Sequence, residues 1–279
     1  MNAKLRTVAG LDPNGFNELQ MCSDGPMVYN RYDEYVGRSL QVYGDFSVAE
    51  GELFRRLVRP GAVVVEVGAN IGAHTVALSR MTGPEGEVHA FEPQRIVFQT
   101  LCANLALNQC MNVFAHQAGV GAASGSIVVP PTDPATPTNF GGISLRAGGA
   151  GERVPLVTLD ELGLRACHFL KADVEGMEFD VLKGGEQMIY QFRPVMFVEN
   201  DREERSEALL QLIMDLGYVA YWHVAPLFNP ANFAQKSENI FAVLASVNLL
   251  CVPEEASSRV EGLRQVQSPR ETWRNAVAK

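Results

Sequence analysis

A buried strand that runs directly into a glycine turn places the strongest constraint on the fold. Residues 63–74 read VVVEVGANIGAH: five residues typical of a buried β-strand, then a turn containing Gly68, Asn70 and Gly72. Short apolar runs that pass through glycine into a helix are typical of parallel sheets. In such sheets ligands bind beyond the carboxyl ends of the strands. The motif therefore indicates an α/β fold with a ligand site at this turn.

Strands and helices alternate along most of the chain. This alternation predicts a mostly parallel sheet with helices on both faces. The predicted strands are 62–67, 87–91, 112–117, 168–173, 195–200, 218–224 and 240–252. The predicted helices are 48–58, 72–81, 94–108, 176–190 and 202–216. The spacings Ser47–Glu50 and Thr158–Glu161 predict capping boxes at the first of these helices and at a further short helix.

Three regions are predicted around this pattern. Residues 1–46 form an N-terminal segment or cap, residues 47–252 form the α/β domain, and residues 253–279 form a charged tail with a peripheral helix. Within the domain, residues 130–151 are rich in Pro, Gly and Thr and show no periodicity. Long loops of this composition are usually functional or mobile. We therefore expect residues 130–151 to form a lid over the substrate.

Composition and charge limit the kinds of molecule that the protein is expected to bind. The net charge of -9, from 23 Lys and Arg against 32 Asp and Glu, argues against a nucleic-acid surface, which requires clustered cations. Small molecules are the expected partners. The sequence is also compatible with a homo-oligomer. The five cysteines form no CxxC pair and no disulfide framework, and the sequence shows neither a signal peptide nor a membrane span. We therefore expect a cytoplasmic protein.

The glycine turn favours a cationic nucleoside cofactor. A dinucleotide motif would place glycine where Asn70 stands, and the Glu66 carboxylate would repel a pyrophosphate but attract an ammonium or sulfonium group. Glu92 ends the second strand, where an acid can accept both hydroxyls of an adenosine ribose. S-adenosylmethionine meets all three conditions. The alternative is that the glycines only make a tight turn and Glu92 only caps the next helix.

Several blocks of the sequence resemble a known family. The blocks are YGDFSVAEGELFRRLVRPGAVVVEVGANIGAHTVALS, GEVHAFEPQRIVFQTLCANLALN, VPLVTLDEL, FLKADVEGMEFDVLKGG, PVMFVEND and NLLCVPEE. Together they are similar to FkbM-type methyltransferases, within the class I S-adenosylmethionine-dependent methyltransferases. The resemblance implies a Rossmann-like, seven-stranded, mostly parallel sheet whose last strand is antiparallel. It also implies S-adenosylmethionine as cofactor and methyl transfer, usually to an oxygen of a sugar or natural product.

The resemblance also implies a set of cofactor-binding residues. The residues expected around the methionine portion are Glu66, Gly68, Asn70, Gly72 and Thr75. Glu92 would bind the ribose, and Ala118 would contact the adenine. Tyr43 and Glu50 lie in an N-terminal segment that can cover the cofactor.

Asp173 is the predicted catalytic residue. It ends a strand in the same crevice, and methylation of a hydroxyl requires a general base or a metal that acidifies the hydroxyl. Glu199 and Asp201 end the next strand, so Asp173, Glu199 and Asp201 together could bind Mg²⁺. The alternative is that Asp173 binds the cofactor ammonium while Glu175 caps the following helix.

The acceptor side is the least constrained by sequence. His74 follows the glycine turn, and Trp222 and His223 precede a proline-containing loop, so these three residues could face the substrate. Core packing explains them equally well. The sequence thus predicts an O-methyltransferase acting on a small molecule or glycan. The alternatives are a nicotinamide-dependent dehydrogenase and a non-catalytic binding protein with the same fold.

Overall fold

A computed structural model describes residues 12, 14–145, 148–256 and 260–277. The predicted N-terminal segment, lid loop and tail are therefore covered only in part. Residues 1–11 and 13 of the segment, 146–147 of the loop, and 257–259 and 278–279 of the tail lie outside the described residues.

The described ranges contain thirteen strands and eight α-helices. The strands are β1 (Asn17–Cys22), β2 (Gly25–Asn30), β3 (Val63–Val67), β4 (Glu87–Phe91), β5 (Val113–His116), β6 (Gly119–Val120), β7 (Gly125–Val129), β8 (Glu152–Val157), β9 (Phe169–Ala172), β10 (Val195–Glu199), β11 (Tyr218–Pro226), β12 (Ala245–Pro253) and β13 (Arg264–Gln265). The helices are α1 (Val36–Tyr43), α2 (Val48–Leu57), α3 (Ala73–Thr82), α4 (Arg95–Leu107), α5 (Glu178–Lys183), α6 (Glu186–Phe192), α7 (Glu203–Asp215) and α8 (Trp273–Val277).

The central sheet has eight strands in the order β13-β11-β12-β10-β9-β3-β4-β5. Strands β10, β9, β3, β4 and β5 are parallel, whereas β12 is antiparallel to both β10 and β11. The α/β class and the seven predicted strands are confirmed. The two-residue strand β13 pairs with the outer side of β11 and adds an eighth strand that the sequence did not predict.

The period of two along each strand decides what each face of the sheet contacts. Val65 and Val67 of β3 belong to the same buried cluster as residues of α5, α6 and α7. Val64 points to the opposite face, where it packs with Phe54 of α2 and Leu78 of α3. Glu66, two residues after Val64, is therefore directed toward α2 and α3, and the functional side chains described below share this face.

One predicted helix is broken in two. The sequence predicted a continuous helix at 176–190, but the chain forms α5 and α6 with Gly184 and Gly185 between them. A side chain at Gly184 would overlap the backbone oxygen of Gly121, and one at Gly185 would press on Leu159. Close packing against these neighbours explains the break.

One predicted capping box forms and the other does not. The amide N–H of Glu161 donates to Thr158 Oγ1, and the amide N–H of Thr158 donates to the Glu161 carboxylate, both at 3.3 Å. By contrast Ser47 has a left-handed backbone (φ 43°) and its side chain makes no capping hydrogen bond. The Ser47–Glu50 prediction is wrong because the Glu50 carboxylate binds side chains far away in sequence.

Two small groups of strands lie outside the central sheet. Strands β1 and β2 form a hairpin, and β6, β8 and β7 form a three-stranded sheet on either side of the predicted 130–151 loop. Neither was predicted, because strands of two to six residues carry little periodicity. In the tail the described helix is the five-residue α8. Across the described ranges, no helix is both long and apolar enough to cross a bilayer.

Candidate functional site

A cavity of ≈ 220 Å³ opens at the carboxyl ends of the parallel strands. The glycine turn follows β3, Glu92 follows β4, Asp173 follows β9, and Glu199 ends β10. Parallel strands bring these four ends to one edge of the sheet. The predicted residues that line the cavity are Glu50, Glu66, Gly68, Asn70, His74, Glu92, Asp173 and Glu199.

Close contacts with neighbouring atoms require glycine at two positions of the turn. Gly68 (φ 85°), Asn70 (φ 52°) and Gly72 (φ 88°) all have left-handed backbones. A side chain at Gly68 would overlap the backbone oxygen of Asp173, and one at Gly72 would lie 2.8 Å from Leu101 Cδ1. The close contact with Asp173 therefore requires glycine at position 68 even without a bound cofactor. Gly72 lies outside the lining of the cavity.

Glu92 is buried and bound by the backbone. Its carboxylate accepts hydrogen bonds from the amide N–H groups of Asn70 (3.1 Å) and Gln94 (2.8 Å). Burial raises the pKa of Glu92 to about 7, although both hydrogen bonds lower it. Gln94 precedes α4, so this hydrogen bond lies outside the helix; α4 has no side-chain cap, and the alternative that Glu92 only caps this helix is not supported. Glu92 still lines the cavity and can accept further donors.

A smaller cavity of ≈ 40 Å³ adjoins the first above β4 and β5. Ala118, which the resemblance implies as an adenine contact, lines it together with Phe91 and with Ile143 and Leu145 of the 130–151 loop. The loop is attached to the domain by a hydrogen bond that Gln94 Nε2 donates to the Phe140 carbonyl at 2.7 Å. Apolar walls beside Glu92 suit a planar base next to a ribose.

A buried lysine forms the centre of the site. Lys171 of β9 is 2% exposed, is the register neighbour of Glu66 on β3, and its Nζ lies 3.0 Å from Asp173 Oδ2. Burial disfavours the ammonium, but the charges of Asp173, Glu66 and Glu50 outweigh it and raise the pKa of Lys171. Lys171 is therefore a fixed positive charge among carboxylates.

Glu66 is held from the opposite side by α3. Thr75 Oγ1 donates a hydrogen bond to Glu66 Oε2 at 2.6 Å. Burial raises the pKa of Glu66, against the opposing effects of Lys171 and Thr75. Thr75 itself is buried and lies outside the cavity lining, so its link to the site is through Glu66.

Lys171 is a site residue that was not predicted. The available signal was a lysine inside the buried run FLKA, two residues before Asp173. Residues two apart on a strand share a face, so Lys171 and Asp173 had to lie together. A buried lysine needs a partner, and the partner is a site residue.

Glu50 is a second buried carboxylate on the cavity wall. Its Oε2 lies 3.0 Å from His74 Nε2, and its Oε1 accepts a hydrogen bond from Asn248 Nδ2 at 3.0 Å. Burial would raise the pKa of Glu50, but the hydrogen bond and charge of His74 and the charge of Lys171 lower it to about 2. Glu50 is thus an anion that joins α2 to α3 and β12. Asn248 was not predicted.

The predicted Mg²⁺ ligands do not assemble. Among the residues that the structure describes, no three His, Cys, Asp or Glu side chains are placed to hold a metal ion. Nearby cations already pair with these acids. Lys171 pairs with Asp173, Arg202 Nη2 lies 2.6 Å from Glu175 Oε2, and Arg202 Nε lies 3.9 Å from Asp201 Oδ1. Asp201 is also outside the cavity lining. The donor set does not fit Mg²⁺.

Three other predicted residues lie away from the cavity. The Tyr43 hydroxyl donates to the Glu238 carbonyl at 2.8 Å and accepts from the Ile240 amide at 2.9 Å, so Tyr43 holds a loop rather than the cavity. Trp222 is 4% exposed and packs in the main core. His223 is buried edge-to-face against Phe197, 5.3 Å between centroids. Of the three predicted substrate residues, only His74 lines the cavity.

The alternative cap prediction for Glu175 is also corrected. The backbone N–H groups of Val174 and Gly176 donate to Glu178 Oε1, both at 3.0 Å, so Glu178, the first residue of α5, binds the turn that precedes the helix. Glu175 has a left-handed backbone (φ 57°) and pairs with Arg202.

Comparison with known proteins identifies relatives of this chain. A profile described as the methyltransferase FkbM domain matches residues 66–220, more than half of the chain. Methyltransferase 1 of Beauveria bassiana (strain ARSEF 2860) is 30% identical over 143 residues, which cover 43% of this chain and 57% of that protein. Methyltransferase sdnD of Sordaria araneosa is 30% identical over 154 residues, which cover 43% of this chain and 59% of that protein. The chain thus spans under two thirds of the length of these two relatives.

Among solved structures, one match is the methyltransferase FkbM of Methylobacillus flagellatus KT. It is 18% identical, covers 78% of this chain and 55% of that chain, and has a TM-score of 0.43. The match of the domain profile, which includes the end of β3, the glycine turn, Glu92 and Asp173, confirms the resemblance seen in the sequence. The chain belongs to the methyltransferase FkbM domain family.

Proposed function

We propose that this protein is an S-adenosylmethionine-dependent methyltransferase that methylates a hydroxyl of a sugar or other small natural product. The observation that carries the proposal is the single crevice in which Glu92, the glycine turn and Asp173 meet. The family membership supports the same reaction class.

The residues present fit this cofactor. Its adenine would lie against Ala118 and Phe91, its ribose hydroxyls would donate to Glu92, and its ammonium would approach Glu66. A pyrophosphate would meet these same carboxylates and Asn70 in the glycine turn, which disfavours the nicotinamide alternative. When bound, S-adenosylmethionine supplies an electrophilic methyl group.

Asp173 is placed to take part in the chemical step. Its Oδ2 atom is held by Lys171, and its side chain is 38% exposed at the centre of the cavity. An acceptor hydroxyl that donates its hydrogen bond to Asp173 would be oriented toward the cofactor and would lose its proton to the carboxylate. Lys171 is a positioning residue for this carboxylate. No metal ion is part of the proposal.

The acceptor would lie on the side of Asp173 that faces β10 and β12. There the cavity is lined by Glu199, Asn248, Leu227 and Leu244. Asn139 and Gly141 of the 130–151 loop reach the same cavity, so the loop remains our proposed lid. A small neutral or cationic molecule is the partner that these walls favour.

Cofactor binding is tested by measuring melting temperatures with S-adenosylmethionine, S-adenosylhomocysteine or NAD. A ligand that binds only the native state raises its stability. We expect the first two compounds to raise the melting temperature and NAD to leave it unchanged. Stabilisation by NAD alone would support the dehydrogenase alternative, and stabilisation by none of the three would support a non-catalytic protein.

The chemical role of Asp173 is tested by Asp173→Asn. This change keeps the shape but removes the charge, so turnover should fall by ~10²- to 10⁴-fold, as is typical of general acid and base groups. Cofactor affinity, measured by calorimetry, should change far less. A variant that binds cofactor poorly but turns over normally at saturation would show that Asp173 binds the ammonium instead.

A further inference from the structure

One oxygen at the acceptor end of the cavity lacks a hydrogen-bond partner. Glu199 Oε2 is buried and unpaired, although the residue lines the cavity. Buried polar atoms are nearly always hydrogen-bonded, and an exception often marks the place of a ligand. Because β10 lies on the far side of β9 from β3 and β4, this oxygen is on the opposite side of Asp173 from Glu92.

The surroundings of Glu199 are acidic, and the nearby cations are already engaged. Burial, and after it the negative charges of Asp173, Asp201, Glu175 and Glu178, raise the pKa of the Glu199 carboxyl well above its ordinary value. Lys171 is bound to Asp173, and Arg202 is bound to Glu175. A ligand that carries a positive charge would therefore meet an unpaired acceptor oxygen in an acidic setting, where the ion pairs of Lys171 and Arg202 are made with other carboxylates.

The remaining walls determine the shape of such a ligand. Leu227, Leu244 and Phe46 line the same cavity as Glu199. These apolar side chains suit a carbon skeleton, whereas the polar atoms converge at Glu199 and Asp173. The site therefore combines an anchor for a cation, an apolar wall and a carboxylate at the reacting position.

We propose that the acceptor carries a protonated amine, which donates a hydrogen bond to Glu199 Oε2 while the group to be methylated lies at Asp173. This inference rests on the proposed function and adds the substrate class. An anionic acceptor would be repelled by the carboxylates, and a neutral one would gain no ion pair. Charge selection of this kind excludes carboxylated and phosphorylated analogues of the acceptor.

The test uses three probes of similar shape: benzylamine, benzyl alcohol and benzoate. Each is titrated into protein saturated with S-adenosylhomocysteine, with affinity measured by calorimetry or by chemical-shift changes. We expect the protonated benzylamine to bind about tenfold or more tightly than the other two, since a charge-assisted hydrogen bond is roughly twice as strong as a neutral one. Glu199→Gln should abolish the preference.

Asp201→Asn provides the matched control. Asp201 lies two residues from Glu199, is 45% exposed and does not line the cavity, so its variant should keep the preference for the amine. Glu199→Asp, which keeps the charge, should retain part of the preference for the amine. Circular dichroism and S-adenosylhomocysteine binding establish that each variant is folded.

Each outcome decides between the two proposals. If S-adenosylhomocysteine itself does not bind, the proposed function fails. If it binds but benzylamine shows no saturable binding or no advantage, or if Glu199→Gln keeps the advantage, only the amine proposal is overturned. Binding of Mg²⁺ that Glu199→Gln abolishes would also overturn it, because the unpaired oxygen would then serve a metal.

Discussion

The two halves of the cavity are built in different ways. In the half that we assign to the nucleoside, Glu92 receives its hydrogen bonds from residues two and 22 positions away in the sequence. In the half that we assign to the acceptor, Glu50 binds Asn248, which is 198 positions away. The first half is a property of one strand-turn-helix unit and its neighbour. The second exists only once the N-terminal segment and β12 pack on the sheet.

The largest expected effect lies where the halves meet, at Gly68. Gly68→Ala should lower the free energy of unfolding by about 4 kcal/mol, from a left-handed backbone and from overlap with the Asp173 carbonyl. Urea denaturation measures the loss. Gly61 has a similar φ (80°) but no atom within 4 Å of an added side chain, so Gly61→Ala should cost only about 1 kcal/mol. Equal losses would show that the close contact with Asp173 does not matter.

Lys171→Met should damage the acceptor half through charge. Removing this ammonium leaves Asp173, Glu66 and Glu50 without their shared cation, which should cost about 3 kcal/mol. Lys183→Met is the control, because Lys183 pairs with Glu186 on the surface and should contribute less than about 1 kcal/mol.

The pH dependence of the Lys171→Met variant provides a second measurement. Without the ammonium, burial and mutual repulsion should favour protonated carboxyl groups, so the deficit in stability should shrink as pH falls. A deficit that is independent of pH would show that Lys171 acts by packing and not by charge.

Glu92 allows a test confined to the nucleoside half. The pKa of Glu92 is about 7 in the folded protein, above the ~4.3 of an unfolded glutamate. Glu92 therefore disfavours folding increasingly as pH rises from about 4.5 to 7, and Glu92→Gln should remove this effect. Ribose hydroxyls donate to the ionised form, so affinity for S-adenosylhomocysteine should rise by up to about tenfold per pH unit below pH 7 and then level off.

Calorimetry in buffers of different ionisation enthalpy measures the proton release that this linkage requires. Wild-type protein should release up to one proton on binding near pH 6, and Glu92→Gln should release fewer. Lys171→Met, which changes the other half, should keep the release. Binding without any release in the wild type would remove Glu92 from the ribose site.

The strands and the turn of the half that we assign to the nucleoside could be predicted because their signals are local. The strand 63–67, the glycine turn and Glu92 each follow from short-range patterns, and β3 and β4 begin and end within one residue of the predicted limits. The predicted position of Ala118 after the third parallel strand likewise matches the small apolar cavity.

The acceptor half could not be derived in this way. Asn248 and Glu50 carry no local pattern that joins them, and His223 and Trp222 alternate on β11, which decides their surroundings only after the sheet is assembled. Trp222 is directed into the core, and His223 is buried against Phe197. The metal prediction failed for a related reason: the cations Lys171 and Arg202 that neutralise the acids come from other positions on the strands and from the start of α7.

The smallest expected effect concerns the capping motif, which occurs once at Ser47 and once at Thr158. Ser47 and Thr158 both precede a glutamate by three residues, but only Thr158 forms the reciprocal hydrogen bonds, because the Glu50 carboxylate is engaged by His74 and Asn248. Thr158→Ala should therefore lower the free energy of unfolding by about 0.5 to 1 kcal/mol, as for other lost caps. Ser47→Ala should change it by less than about 0.5 kcal/mol, since no cap is lost.

Both changes remove a side-chain hydroxyl, and Thr158→Ala removes a methyl group as well; urea denaturation at one pH measures both. If Ser47→Ala costs as much as Thr158→Ala, the Ser47 hydroxyl caps α2 after all, and the long-range contacts of Glu50 would not have displaced the local motif. If instead Glu50→Gln makes the Ser47→Ala change costly, the local cap forms only when the distant contacts weaken. That result would show directly that long-range packing overrides sequence motifs in the acceptor half.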